Sequence, residues 1–353
     1  STTYSKSATG ASNVILTASD GTWSAAVSAL NTDLDDDIKY AGALTITGIT
    51  DKSAALTDYT TAKTGATTNT LTADGTWSVA ATTLDTALTA GVRLVGNLTV
   101  TGIASGSETS ALTTYTTAKT GATTNTLTAS DTNWSVAAAT LDTALAAGVQ
   151  LAGNLTVTGI STETNASTTY SKIATGASNV MLTASDGTWS VVASALDTDL
   201  GNDIKYAGAL TVTDIATSDK VAALTSYTTA ETGATTNTLA ADGTWSLAVG
   251  ALTTALGDGV RLAGALTVTG ITDEAAALTD YTATTTGATS VTLTANGAWS
   301  VAAADLAAAL GDGVLLDGTL AVTSIASGSE TAALTAYTDA LTGATSVTLT
   351  ASD

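Results

Sequence analysis

The sequence predicts a repeat solenoid with parallel strands, in which each repeat of about 55 residues contributes a strand, a helix, a second strand and a second helix. Three observations lead to this prediction: tryptophan recurs at a nearly fixed interval, tyrosine recurs at the same interval in a second motif, and alternating Leu-Thr segments lie between them. Such a period is typical of proteins whose repeats bury their apolar faces against their neighbours. The alternative is an all-β solenoid in which the Trp and Tyr segments form corners and extended edges.

The tryptophans define the length of the repeat, because consecutive ones are 54 to 57 residues apart. Seven tyrosines, from Tyr4 to Tyr337, follow the same interval. The sequence also repeats over a longer interval of about 166 residues, since residues 1–50 match residues 167–216 at 39 of 50 positions. We therefore expect one continuous array of about six repeats over residues 1–353, made of duplicated three-repeat blocks at 1–166 and 167–353. The six tryptophans are interpreted as core anchors of the repeats: Trp23, Trp77, Trp134, Trp189, Trp245 and Trp299.

The Trp segment of each repeat is predicted to be a helix. In the third repeat, the apolar residues from Trp134 to Leu145 fall mostly on one helical face. Gly148 follows at the position where a glycine commonly ends a helix. An Asp-Gly or Asn-Gly turn precedes the tryptophan in most repeats, and the threonine after that turn, such as Thr188, is the predicted N-terminal cap.

The segments that follow predict a strand and then a second helix. Leu98-Thr99-Val100-Thr101 alternates apolar and polar residues, which is the pattern of a half-buried strand. The Tyr segment around Tyr115 has its apolar residues on one helical face and ends at Gly121, although threonine is a mediocre helix former. A second short strand follows at Thr126-Leu127-Thr128. Strands that alternate with helices in this way indicate parallel pairing through crossover connections.

The composition excludes several classes of function. The chain has no histidine, cysteine, proline or phenylalanine, and its formal net charge is −21. Metal sites built on Cys or His, Ser-His-Asp and Cys-His catalysis, and disulfides are therefore impossible. Nucleic-acid binding requires clustered Lys and Arg, which this chain lacks. Paired carboxylates of the kind used by glycosidases are not unique to one repeat, so we expect no catalytic residues and no enzyme activity.

The densest acidic cluster is the best candidate metal site that the sequence suggests. Asp33, Asp35, Asp36 and Asp37 are candidate ligands for Ca²⁺, an ion that binds several oxygen atoms. Their spacing matches neither an EF-hand loop nor the nonapeptide of calcium-binding β-rolls. The alternative interpretation is that these carboxylates serve as helix caps, turn residues and solubilising charges. We expect no other cofactor.

The two ends of the sequence suggest the kind of partner. Both ends lie in a Tyr half of the repeat, and neither has the atypical polar sequence of a capping repeat. We therefore expect either a window on a longer array or copies of the chain that stack head to tail or side by side, because exposed sheet edges pair with other strands. A glycan is a further candidate partner. No apolar run reaches the ~18 residues that membrane insertion needs.

Three recurring segments resemble a known class of proteins. They are Leu-Thr-Val-Thr-Gly-Ile, Ala-Ala-Ala-Leu-Thr-Asp-Tyr and Val-Thr-Leu-Thr-Ala, and they are similar to the Thr/Ala-rich arrays of giant secreted bacterial surface proteins. That class includes S-layer-like proteins, adhesins and extracellular fibres. The resemblance covers the whole chain and implies a non-enzymatic structural protein, extracellular or at the cell surface, that self-assembles into a filament or surface layer. The alternative is an adhesin, or an ice- or glycan-binding solenoid, that uses a Thr-rich or acidic face.

Overall fold

The structure, a computed structural model, describes residues 2–163 and 165–352. It contains two compact units, residues 1–182 and 183–353. Each is an α/β unit whose parallel strands are joined by helices, so the predicted parallel α/β arrangement is confirmed. The all-β alternative is wrong, because the Ala- and Thr-rich segments between the strands form hydrogen-bonded helices and not corners.

Among its described residues, the first unit contains eight strands and ten helices, with a 3₁₀ turn at Thr2–Tyr4 before the first helix. The strands are β1 (Val14–Ala26), β2 (Ile38–Ile49), β3 (Thr68–Ala73), β4 (Trp77–Ala80), β5 (Val92–Val95), β6 (Asn97–Ile103), β7 (Thr124–Ala137) and β8 (Val149–Ile160). The helices are α1 (Lys6–Thr9), α2 (Val27–Asp35), α3 (Lys52–Asp58), α4 (Thr61–Thr64), α5 (Ala81–Thr89), α6 (Glu108–Thr114), α7 (Thr117–Thr120), α8 (Ala138–Ala146), α9 (Ala166–Thr169) and α10 (Lys172–Thr175).

The second unit follows the same pattern, and β9 (Asn179–Val192) includes the boundary residue. The other strands are β10 (Ile204–Ile215), β11 (Thr236–Ala241), β12 (Trp245–Ala248), β13 (Val260–Ala263), β14 (Ala265–Ile271), β15 (Ser290–Ala295), β16 (Trp299–Ala302), β17 (Val314–Asp317), β18 (Thr319–Ile325) and β19 (Ser346–Ala351). The helices are α11 (Ala193–Gly201), α12 (Lys220–Ser226), α13 (Thr229–Thr232), α14 (Val249–Gly257), α15 (Glu274–Asp280), α16 (Ala283–Thr286), α17 (Ala303–Gly311), α18 (Glu330–Ala336) and α19 (Asp339–Thr342), with a 3₁₀ turn at Thr217–Asp219.

The strands pair in the same parallel order within both units. In the first unit the orders are β1-β2-β3-β5 and β4-β6-β7-β8, and in the second they include β12-β14-β15-β17 and β16-β18-β19. A complete group has four strands, which in pairing order are a strand that contains the tryptophan, a strand with the Leu-Thr alternation, a strand that follows a Tyr segment, and a strand that begins Val/Ile-x-Leu/Tyr. In the group β4-β6-β7-β8 these are β4, β6, β7 and β8. One row of paired residues crosses such a group at Ser78, Thr99, Thr126 and Gln150.

The tryptophans lie in strands, and the predicted helix over the Trp segment begins later than the sequence suggested. Trp134 and Val136 are buried, while Ser135 between them and Ala137 after them are exposed, which is the alternation of a strand. Helix α8 begins only at Ala138, and its N-cap residue Ala137 makes no side-chain capping bond. Thr188, which the sequence predicted as a helix cap, lies within strand β9. The C-terminal prediction is correct, because α8 ends just before Gly148, whose φ of 74° is in the left-handed region.

The Tyr segment forms two short helices where one was predicted. In the third repeat, α6 ends before Tyr115, and α7 begins two residues after it. Gly121 has a φ of 82° and its N–H bonds to Thr117 O, which ends α7 as the sequence predicted. The break at Tyr115 directs the ring towards α5, and the side chain is buried.

The helices cover the face of the strands that carries Leu and Val. Leu98 and Val100 of β6 are buried, whereas Thr99 and Thr101 are partly exposed on the opposite face. Helix α5 packs on β4, β5 and β6 with Leu84 completely buried, and helices α3 and α5 contact one another. Parallel sheets are normally covered on both faces. The open Thr-rich face is therefore a departure from the usual packing.

Candidate assembly site

The indole of every tryptophan makes the same bond. Its Nε1–H donates to the backbone carbonyl of the residue 18 positions later, over 2.9–3.1 Å. The acceptors are Ala41, Val95, Ala152, Ala207, Ala263 and Asp317. Because Trp77 belongs to one strand group and Val95 to the group before it, the Trp77 indole links two successive strand groups. Trp23 is half-buried, and the other five tryptophans are at most 3 % exposed.

A buried Asn–Thr cluster, which sequence reasoning missed, joins the Tyr segment to the next strand. Asn237 is completely buried; its amide donates to Tyr227 O over 2.7 Å, and its Oδ1 accepts from the Thr232 hydroxyl over 3.1 Å. Equivalent clusters surround Asn69 and Asn125. The available signal was recurrence, because this position is Asn in three repeats and Val in the others. A polar residue that alternates with valine occupies a buried position.

Tyrosine–aspartate pairs use several of the carboxylates for packing. The Tyr115 hydroxyl donates to Asp85 over 2.8 Å, and the Tyr170 hydroxyl donates to Asp142 over 2.9 Å. Burial raises the pKa of Tyr170 to about 12, and the hydrogen bond to Asp142 and the charge of that carboxylate add to the shift. A further pair joins Tyr227 to Asp197.

The four candidate calcium ligands do not converge on one point. Asp33 is buried in α2 and accepts a hydrogen bond from the Tyr40 hydroxyl, whose pKa is raised first by burial and then by that bond. Asp37 accepts from the Lys6 ammonium, which lowers the pKa of the carboxyl. Asp35 and Asp36 are exposed. Over residues 2–163 and 165–352, no three Asp or Glu side chains are grouped in a way that could hold a metal ion.

Charged side chains cover the open edge of several Trp strands. Lys220 donates to Thr244 O over 2.8 Å and lies 5.6 Å from the Trp245 ring centroid. Lys52 occupies the equivalent place before Trp77, and in the sixth repeat Glu274 accepts from the Ser300 N–H over 3.1 Å. Charge at a strand edge discourages pairing with another strand. These edges are therefore protected against association.

Among the described residues, no charged side chain covers the edge of β19 in this way. In a group with all four strands, the third strand donates one backbone N–H to the carbonyl of the glycine that precedes the fourth strand. The Val291 N–H of β15, for example, donates to Gly313 O over 3.0 Å. Val347 is the equivalent residue in β19, and no partner for its N–H is found in the part of the chain that the structure describes. Its side chain and that of Leu349 are half-buried, whereas Val291 is completely buried. This edge retains the geometry of an interior strand.

The open face of the sheet presents rows of threonine hydroxyls. Thr99 and Thr126 are paired neighbours, as are Thr267 and Thr292 in the second unit, and all four side chains are partly exposed. Among the described residues, none of these four hydroxyls has a hydrogen-bond partner within the chain. The rows are short, because Ser78 and Gln150 flank the first pair and Ser246 and Leu315 flank the second.

Grooves between helices recur at equivalent positions. One groove of about 360 Å³ lies between α15 and α17, lined by Leu278, Thr282 and Asp305, and a groove of about 510 Å³ lies between α3 and α5. Helices made largely of Ala and Thr do not fill the space between them, so such grooves follow from the composition of each repeat.

Comparison with protein-family models, with curated proteins and with solved structures finds no match to this chain. Among the described residues, no helix is both long and apolar enough to cross a bilayer.

Proposed function

We propose that this chain is a non-enzymatic structural protein that assembles by extending its parallel strand ladder, as a repeat solenoid, into a filament or surface layer outside the cell. The partner is a second copy of the chain. The observation that carries the proposal is the edge of β19, which keeps the register of an interior strand and has an unpaired donor at Val347.

The pattern of protected and open edges supports growth in one direction. Lys52, Lys220 and Glu274 cover the edges of Trp strands, whereas no side chain of the described residues covers the edge of β19 in this way. A Val/Ile-x-Leu/Tyr strand, such as the start of β2, β5 or β17, pairs with this position inside each repeat. A parallel strand of another copy that pairs at this edge would bury Val347 and Leu349 and accept a hydrogen bond from the Val347 N–H. Apolar burial supplies the driving force, and the backbone bonds fix the register.

The carboxylates support a structural role over catalysis. Asp85, Asp142 and Asp197 accept tyrosine hydroxyls within the helix layer, and Asp37 pairs with Lys6. These bonds recur from repeat to repeat, as expected for groups that stabilise packing.

The proposal is tested by sedimentation velocity of the 353-residue chain over a series of concentrations. The wild-type chain should form species whose mass grows with concentration. Val347→Pro removes the edge N–H, while neighbouring residues still pair with β18, so it should remain monomeric. Val347→Ala is the matched control: it shortens the side chain but keeps the N–H, so it should still assemble, less tightly. A wild-type chain that stays monomeric throughout, or Val347→Pro that assembles like wild type, would contradict the proposal.

A second candidate function is an adhesin or an ice- or glycan-binding solenoid. The free hydroxyls of Thr99, Thr126, Thr267 and Thr292 favour it, because they lie in ordered rows on an open face. Thermal hysteresis and glycan-array binding test this function. Thr267→Val on the face should abolish either activity, and Thr279→Val on the exposed side of α15 should not.

A further inference from the structure

One of the turns before the tryptophans differs chemically from the others. In five repeats this turn begins with an aspartate: Asp20, Asp74, Asp131, Asp186 and Asp242. In the sixth repeat it begins with Asn296, which is followed by Gly297 and forms the sole Asn-Gly pair in the sequence. The turn also has a different backbone, because Gly75 and Gly243 have φ angles of 70° and 68° whereas Gly297 has no positive φ.

The surroundings of Asn296 leave its side chain free to react. Asn296 and Gly297 are both exposed, and the Asn296 N–H donates to Ile271 O over 3.1 Å, which fixes the backbone on one side only. Within the described chain, neither the Asn296 amide nor the Gly297 N–H has a hydrogen-bond partner. No atom lies within 4 Å of the place where a Cβ of Gly297 would be. Gly297 therefore has open space on the side where a side chain would lie.

The longer turns of other repeats show the contrast. The Asp186 carboxylate accepts from the Thr188 N–H over 3.0 Å, which holds its side chain in the turn and lowers the pKa of the carboxyl. Asp20 makes the same bond to Thr22. No such bond restrains Asn296 among the described residues.

We propose that Asn296 is a site of spontaneous deamidation. The Gly297 nitrogen loses its proton to a base in solvent and attacks Cγ of Asn296, which forms a new C–N bond and closes a succinimide ring. The Cγ–Nδ2 bond breaks, and the leaving nitrogen takes a proton from water and departs as ammonia. Water then adds to either ring carbonyl and breaks one of its C–N bonds, so that the product is aspartate or isoaspartate. Water is the sole co-reactant, and no electrons are transferred.

Both products change the sixth repeat in a defined way. The aspartate product gives this turn the carboxylate that the other five turns carry. The isoaspartate product lengthens the backbone three residues before Trp299, whose Nε1–H donates to Asp317 O over 2.9 Å. In either case the chain gains one negative charge.

The test follows the folded 353-residue chain during incubation at neutral and mildly alkaline pH. Cleavage after aromatic residues releases the fragment 282–299, and mass spectrometry measures the conversion of its amide to an acid. Conversion should be faster at the higher pH, because the attacking nitrogen must lose a proton. Gly297→Ala should slow it by at least about tenfold, because a Cβ hinders the approach. Asn237, which is buried and hydrogen-bonded, is the control within each sample and should remain intact.

The proposal is overturned if Asn296 stays intact while other asparagines convert. It is also overturned if the Gly297→Ala chain converts at the wild-type rate. Circular dichroism of each sample establishes that the chain remains folded, so that the measured rates refer to this turn.

Discussion

Replacement of tryptophan by alanine can be compared at one completely buried position, Trp245, and one half-buried position, Trp23. Trp245 is completely buried and donates to Ala263 O over 3.1 Å. Trp23 occupies the same place in the first repeat and makes the same bond to Ala41 O over 3.1 Å, but its side chain is half-buried. Replacing each with alanine therefore removes the same atoms and the same hydrogen bond from two different degrees of burial.

The expected loss of stability follows from that burial. A tryptophan side chain buries roughly 150–250 Å². At about 25 cal/mol per Å², this corresponds to roughly 4–6 kcal/mol, and core Trp→Ala changes typically cost about 3–5 kcal/mol. We expect Trp245→Ala to lower the free energy of unfolding by about 4 kcal/mol. Trp23→Ala should cost about half as much, because the half-exposed ring buries less area and leaves no closed cavity.

Urea unfolding followed by far-UV circular dichroism measures both losses. Trp245→Phe is the control, since it keeps most of the ring volume and removes the N–H, and it should cost about 1–2 kcal/mol. Equal losses for Trp245→Ala and Trp23→Ala would refute the reasoning that the degree of burial sets the contribution of each tryptophan to stability. So would a larger loss for Trp23→Ala.

Two further predictions concern a tyrosine pair and a glycine. The pKa of Tyr170 is raised from 10.0 to about 12, so the stability from its bond to Asp142 should be complete below pH 10 and lost as pH rises towards 12. The alkaline fall of the urea midpoint should therefore be smaller in Tyr170→Phe than in wild type. Gly208→Ala should destabilise the chain by about 2 kcal/mol or more, because φ is 104° and the new Cβ would lie 2.3 Å from Gly187 O. Gly264→Ala, at the equivalent position with φ of 96° and no atom within 4 Å, should cost less in thermal unfolding.

The strands and the helix ends could be predicted from the sequence because they depend on local pattern. The alternation in Leu98–Thr101 gives one buried and one open face, and that face pattern is seen in β6. Gly121 and Gly148 end helices because they adopt left-handed backbone angles at little cost. Both features are decided by a few neighbouring residues.

The Trp segment was misread because a strand runs directly into a helix there. Trp134 and Val136 belong to a strand, while Leu141 and Ala144 belong to α8, and the combined spacing imitates one helical face. No glycine or capping side chain separates the two elements, since Ala137 caps α8 with its backbone alone. The pairing of Trp134 with Leu155 of β8, which decides the matter, is a tertiary interaction.

The polar clusters could not be predicted because their partners are distant or ordinary in sequence. Asn125 lies in a run of threonines, yet it is completely buried because Thr120 and the Tyr115 carbonyl satisfy its amide. The sequence predicts Asp33 as a candidate metal ligand because three other aspartates lie near it. In the structure its carboxylate instead accepts a hydrogen bond from the Tyr40 hydroxyl, away from the other three aspartates.

The central claim is that the strand ladder continues from one copy of the chain to the next through the edge of β19. Electron cryomicroscopy of the wild-type 353-residue chain, concentrated without additives, tests this most directly. The claim predicts filaments or sheets in which a strand of the neighbouring copy pairs in parallel with β19 and covers Val347 and Leu349. Single particles of one chain with the β19 edge exposed, or assemblies joined through another surface, would contradict it.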